Sequence, residues 1–131
     1  MKKITIIGLG YVGLPLGIEF AKKFQVLGFD ISKSRVNELK KGIDINGEFT
    51  SSEILKTKLK FTYSKTDLTD GDFYIITVPT PLKKNNKPDL KPLKNASILA
   101  AKKIKKGDIV IYESTVYPGC TEEDCVPILE K

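Results

Sequence analysis

The sequence predicts an α/β fold built on a doubly wound parallel sheet, and three observations carry that expectation. Short β-rich apolar runs alternate with longer amphipathic ones along the whole chain, the order that strand–helix–strand units demand. The runs Ile4–Ile7 and Asp72–Val78 are nearly continuous in apolar residues, as in strands covered on both faces. A Gly-x-Gly-x-x-Gly segment directly follows the first of them. With 131 residues, 40% of them hydrophobic and 29% charged, the chain is one globular domain. Disorder, collagen and repeat arrays are excluded by the same figures.

Each element has a local cause. Ile4–Ile7 reads as the first strand, and a helix follows over Tyr11–Lys23 with Leu14, Ile18 and Ala21 at helical spacing. Pro15 falls in its first turns, where a missing N–H is tolerated. Val26–Asp30 is the second strand; Ser32 or Ser34 caps a helix that points Val36 and Leu39 inward and stops at Gly42. Asn46-Gly47 is a turn, Ser51–Lys56 a short helix and Lys60–Tyr63 a weaker third strand. The fourth strand, Asp72–Val78, is ended by Pro79-Thr80-Pro81, and Lys83–Pro88 is a polar loop. Asp89 is the expected N-cap of a helix running to Lys105, with Leu90, Leu93, Ser97, Ala100 and Ile104 on one face and Gly107 as its stop. Asp108–Tyr112 is the fifth strand, and Thr121 opens a last helix. A doubly wound dinucleotide domain carries six strands, so the expectation is a fragment of that fold with the sixth strand missing.

Composition narrows the chemistry. The chain has no His, which removes imidazole bases and most zinc or copper sites, and no metal site is expected. Its two cysteines cannot make a disulfide framework. The net charge is +6, but the lysines come as scattered pairs with acidic residues between them and no interleaved aromatics. That pattern reads as solvated surface and not as a nucleic-acid site. Met1-Lys2-Lys3 and the apolar run behind it resemble a signal peptide, yet Gly8, Gly10, Gly13, Pro15 and Gly17 interrupt the run. No stretch reaches the ~18–20 apolar residues of a membrane span, so the expected location is the cytoplasm.

The glycine segment Gly8-Leu9-Gly10-Tyr11-Val12-Gly13 has the setting of a Rossmann-type dinucleotide loop, following a strand and opening a helix. Gly8 allows the tight turn, Gly10 lets a pyrophosphate approach the backbone, and Gly13 lets the helix pack on the strand. The helix N-terminus offers free N–H groups and a positive dipole end to the anion. Asp30 stands 22 residues after Gly8 at the end of the second strand, where a carboxylate holds an adenosine ribose 2′-hydroxyl and repels a 2′-phosphate. This favours NAD over NADP, with Lys33 and Arg35 just beyond to soften the exclusion; the competing role for Asp30 is a helix cap. Val78-Pro79-Thr80-Pro81 and Glu113–Gly119 end the fourth and fifth strands, at the same edge of the sheet. On spacing alone, turn chemistry accounts for their hydroxyls. Cys120 has no imidazole to activate it, and Cys125 beside Val126 reads as helix packing.

Together GLGYVGLPL, FDISKSRV, VPTP and ESTVYPGCTEEDCVPILE resemble the N-terminal NAD-binding domain of the nucleotide-sugar 6-dehydrogenases, along essentially the whole chain. The last block is similar to the branch that oxidises UDP-N-acetylglucosamine or UDP-N-acetylgalactosamine for capsule and O-antigen polysaccharide. UDP-glucose dehydrogenases usually read STVPVG there. The resemblance implies two successive NAD-dependent hydride removals at sugar C6, alcohol to aldehyde to acid. It implies a pyrophosphate loop at Gly8, Gly10, Tyr11, Val12 and Gly13, and a ribose-holding pair in Asp30 and Arg35. Val78, Pro79 and Thr80, with Ser114 and Thr115, fall beside the nicotinamide half, and Thr115 matches a threonine that helps position the catalytic water. The family's catalytic cysteine, its Lys, Asn and Asp helpers, a further Glu, the dimerising central helix and the UDP-sugar domain lie outside these blocks. Neither Cys120 nor Cys125 falls in the catalytic-cysteine motif. The expectation is a domain that binds NAD without turnover, taken from a homodimeric enzyme. UDP-glucose or GDP-mannose 6-dehydrogenase and a non-catalytic nucleotide-sensing module are the alternatives.

Overall fold

A computed structural model describes residues 2–68, 71–79, 83–85, 87, 89–113 and 126–130. Its elements run β1 (Lys3–Ile7), α1 (Gly13–Phe20), β2 (Gln25–Phe29), α2 (Lys33–Lys40), α3 (Ser51–Lys56), β3 (Lys60–Thr62), β4 (Phe73–Ile76), α4 (Lys91–Ala101), β5 (Ile109–Tyr112) and α5 (Val126–Leu129). The five strands form one sheet in the order β3-β2-β1-β4-β5, and every ladder is parallel. That is the order of the first five strands of a doubly wound dinucleotide fold. The order of strand addition switches at β1, with β2 and β3 to one side and β4 and β5 to the other, so the crevice lies beyond the carboxyl end of β1.

Alternation along β1 divides the core between the two faces of the sheet. Ile4 and Ile6 pack with Leu14 of α1 and Val36 and Leu39 of α2. Ile7 joins Phe29, Tyr74, Ile76 and Leu93 on the other side. Ser97 is fully buried on α4; its hydroxyl donates to the Leu93 carbonyl at 2.9 Å and pairs with the Tyr112 hydroxyl at 2.8 Å, tying α4 to β5.

Element types agree with the sequence expectation, and several boundaries differ for physical reasons. The helix expected over Tyr11–Lys23 is regular only over Gly13–Phe20. Beyond it the Lys23 and Phe24 N–H groups both close on the Phe20 carbonyl, which unwinds the last turn. The strand expected over Asp72–Val78 is shorter, because Asp72 acts as a bracket at its start. The Asp72 carboxylate accepts the Lys3 N–H at 2.9 Å while its own N–H donates to the Lys3 carbonyl. Asp89 is not the N-cap of α4: Leu90 holds that position, and Asp89 instead accepts the Lys91 N–H at 3.0 Å, one residue early. That helix ends at Ala101 and not at Lys105, since the Lys103 and Ile104 N–H groups share the Ala100 carbonyl. Gly107, at φ +95°, serves the turn into β5. Ser32 is the cap of α2, accepting the Arg35 N–H at 3.2 Å. The expected start of the last helix at Thr121 lies outside the described residues. Among those residues, no helix is long and apolar enough to cross a membrane.

Leu93 is fully buried where α4 meets the sheet. Leu93→Ala should lower unfolding stability by about 2–5 kcal/mol, read from the urea midpoint at unchanged slope.

Candidate functional site

The glycine loop leaves β1 at its carboxyl end with its first and third glycines in contact. Gly8 has φ +115°, and its N–H donates to the Phe29 carbonyl at 2.8 Å. A Cβ on Gly13 would lie 1.7 Å from the Gly8 carbonyl oxygen and 2.5 Å from the Thr77 hydroxyl, so only glycine lets α1 start this close to the sheet. Thr77, just past β4, is buried; its hydroxyl donates to the Gly8 carbonyl at 2.7 Å and fixes that peptide. The first backbone bond of the α1 turn runs from the Leu14 N–H to the Gly10 carbonyl, which leaves the preceding N–H groups without an intrahelical acceptor. Val12 occupies the N-cap position and supplies no side-chain cap. Gly10 faces open space, with nothing within 4 Å of where its Cβ would stand.

Asp30 ties the second strand to this loop. Its carboxylate accepts the Leu9 N–H and the Ser32 N–H, each at 2.9 Å. It holds the loop and the entry to α2 at once, while Ser32 does the capping. Arg35, one turn into α2, is buried: its Nε donates to the Leu9 carbonyl at 2.9 Å and Nη1 to the Asp44 carboxylate at 2.8 Å. Its Nη2 is buried without a protein partner. Asp44 in turn accepts the N–H groups of Asn46, Glu48 and Phe49 at 3.1, 3.0 and 3.2 Å. Burial pushes the Asp44 carboxyl up, but the Arg35 hydrogen bond, the backbone N–H groups and the Arg35 charge together hold it below its ordinary 3.8.

These residues surround a cleft of about 510 Å³ beyond the carboxyl ends of β1, β2 and β4. Of the residues expected from sequence, Gly8, Gly10, Asp30, Arg35, Val78 and Pro79 line it, Tyr11 and Val12 are exposed at the start of α1, and Gly13 is buried beneath the loop. Thr80, Ser114, Thr115, Cys120 and Cys125 lie outside the described residues. The structure adds residues that sequence reading passed over. Asn46 lines the cleft from the α2–α3 loop, and Lys91 and Asn95 line it from α4. Thr77 and Asp44 support it from below. The signals were a lone polar residue ending an apolar strand and an aspartate heading an Asn-Gly turn. Among the described residues, no group of three His, Cys, Asp or Glu side chains could hold a metal.

The arrangement fits a dinucleotide. It offers unpaired amide N–H groups at a glycine turn, an approach over Gly10 free of side chains, a carboxylate at the end of β2, and a buried guanidinium nitrogen still lacking an acceptor. A parallel sheet in this strand order with that loop defines the class: a dinucleotide-binding domain of oxidoreductase type. The chain matches the UDP-glucose/GDP-mannose dehydrogenase family, NAD binding domain, over residues 2–131, and it belongs to that family. NAD is therefore its cofactor type, as the resemblance implied. It is 56% identical over 130 residues to the UDP-N-acetyl-D-glucosamine 6-dehydrogenase of Salmonella typhi, covering 98% of this chain. Against Protein CapL of Staphylococcus aureus the identity is 52%, over 99% of this chain. The solved UDP-D-ManNAc dehydrogenase of Pyrococcus horikoshii superposes with a TM-score of 0.84 at 35% identity, covering 98% of this chain and 32% of that one. The chain spans 31% of the length of these two curated relatives.

Two variants test this geometry. Gly13→Ala should cost about 1–3 kcal/mol, because the new methyl meets backbone that cannot yield, and thermal unfolding will report it. The native Asp44 carboxyl binds its proton less tightly than the unfolded one, so the stability it confers is complete above about pH 4. It is lost as the pH falls through the lower native value. Asp44→Asn should accordingly be less stable at neutral pH and lose less on acidification, seen by comparing urea midpoints at pH 7 and pH 3.

Proposed function

We propose that this chain is the cofactor domain of an enzyme that oxidises C6 of a UDP-N-acetylhexosamine to the uronic acid in two NAD-dependent steps, for surface polysaccharide. The carrying observation is the convergence of the glycine loop, Asp30 and Arg35 on one cleft at the point where the strand order switches. Relatives above half identity that bear N-acetylglucosamine dehydrogenase names support the N-acetylhexosamine branch over UDP-glucose or GDP-mannose.

In this reading the open N–H groups of Tyr11, Val12 and Gly13 bind the pyrophosphate, helped by the positive end of α1. Gly8 and Gly10 keep side chains out of its path. The Asp30 carboxylate, already oriented by two backbone N–H groups, accepts from the adenosine ribose, and Arg35 offers its unpaired Nη2 nearby. Val78 and Pro79 form an apolar wall beside the nicotinamide half, where water is kept from the hydride path. NAD, when bound, supplies the hydride acceptor. Thr80, Ser114 and Thr115 are assigned to the same half by resemblance, with Thr115 helping to position the catalytic water and the cofactor. Sugar binding, the catalytic cysteine and homodimerisation are assigned to further parts of a longer, cytoplasmic enzyme, which leaves this domain to bind NAD without turnover.

Calorimetric titration with NAD, NADP and a UDP-sugar in parallel tests the reading. NAD should bind, NADP should bind much more weakly, and the UDP-sugar should give no heat. Asp30→Ala should weaken NAD by about 1–2 kcal/mol, the scale of a charge-assisted hydrogen bond. UDP-sugar binding without NAD binding would sink it.

A further inference from the structure

Beside the carboxylate that reads the ribose stands an arginine, the residue type that accommodates a 2′-phosphate in NADP-using domains. Arg35 lines the same cleft as Asp30, and the two hold the backbone on either side of Leu9: Asp30 takes the Leu9 N–H and Arg35 donates to the Leu9 carbonyl. A free guanidinium there would attract the extra phosphate and blunt selectivity. Its charge is not free. The Arg35–Asp44 ion pair measures 2.8 Å, with side-chain exposures of 9% and 0%.

We propose that Asp44 is a positioning residue that sets the preference for NAD over NADP, by holding Arg35 in a charge-neutral pair at the adenosine end of the cleft. The proposal rests on the NAD-domain reading above and adds to it the group that fixes the sign of the field there. Three backbone N–H groups, from Asn46, Glu48 and Phe49, clamp Asp44 in addition to Arg35. The carboxylate cannot swing away to release its partner. The same clamp folds the loop that brings Asn46 to the cleft wall. Lys33, the nearest other cation on α2, has its ammonium 5.4 Å from the centre of the Tyr63 ring. The balance of Asp30, Arg35 and Asp44 is then one net negative charge, and Lys91 and Asp89, the other charged residues lining the cleft, offset one another. A ribose hydroxyl donates into that field; a phosphate dianion is repelled by it, and the low exposure of the pair limits screening by salt.

Asp44→Asn keeps the shape and one carbonyl acceptor while removing the charge, so Arg35 is left uncompensated. In this chain the ratio of NADP to NAD affinity, measured by calorimetry at low ionic strength, should rise about tenfold, the scale of one added unit charge in a partly screened cleft. Arg35→Met leaves Asp44 held by its three backbone N–H groups and should move the ratio about tenfold the other way. Either variant serves if the other fails to fold, as judged by circular dichroism. A purely structural role for Asp44 lowers both affinities together and leaves the ratio unchanged; that result in a folded variant overturns the proposal. Failure of the parent chain to bind NAD at all would instead overturn the domain reading, which the first titration reports separately.

Discussion

The Gly8 carbonyl is trapped between the first turn of α1 and the end of β4, and the geometry of the cleft follows from that contact. It accepts the Thr77 hydroxyl at 2.7 Å from below, while the bare Cα of Gly13 closes over it from above. A buried carbonyl without a donor costs free energy comparable to a lost hydrogen bond, so Thr77 both permits and orients the close approach. The helix axis, the open N–H groups at its start and the floor of the cleft are thereby set by one peptide. β4 is drawn into the same contact, and Val78 and Pro79 inherit their place on the opposite wall from it.

A second layer of order surrounds that peptide, and it is electrostatic. Asp30, Arg35 and Asp44 share their hydrogen bonds with the loop backbone in a chain: Ser32 and Leu9 to Asp30, Arg35 to Leu9 and Asp44, and Asp44 to the turn at Asn46. Both carboxylates meet backbone N–H groups and Arg35 meets a carboxylate, so each of the three charges has a partner, with only the Arg35 Nη2 left open. This end of the cleft is thus tied together by the protein's own hydrogen bonds, which lowers the ordering cost of binding a ligand there.

The parts legible in the sequence were those governed by local rules. The glycine spacing, the apolar strands and the serine cap on α2 depend on neighbours a few residues away, and all appear where the pattern put them. Helix ends were less legible: Ala100 accepts two N–H groups and Asp89 spends its carboxylate one residue early, choices made by local competition that propensity does not resolve. Thr77 and Asp44 could not be weighed at all without the fold, since their partners lie 69 and nine residues away. Their chemistry is ordinary until those distances close.

The ladders carry a consequence for how the chain acquires this shape. β1 pairs with β2 across a short crossover, Ile4 opposite Val26, but its other edge waits for Phe73 and the residues after it. One ladder of β1 is therefore nearly local and the other joins residues far apart along the chain. Non-local pairing of this kind carries a large loop-closure cost before any reward. The glycine loop takes its form only where β4 lies beside β1, since Thr77 at the end of β4 fixes the Gly8 peptide, so the cleft and the β1–β4 ladder depend on one contact.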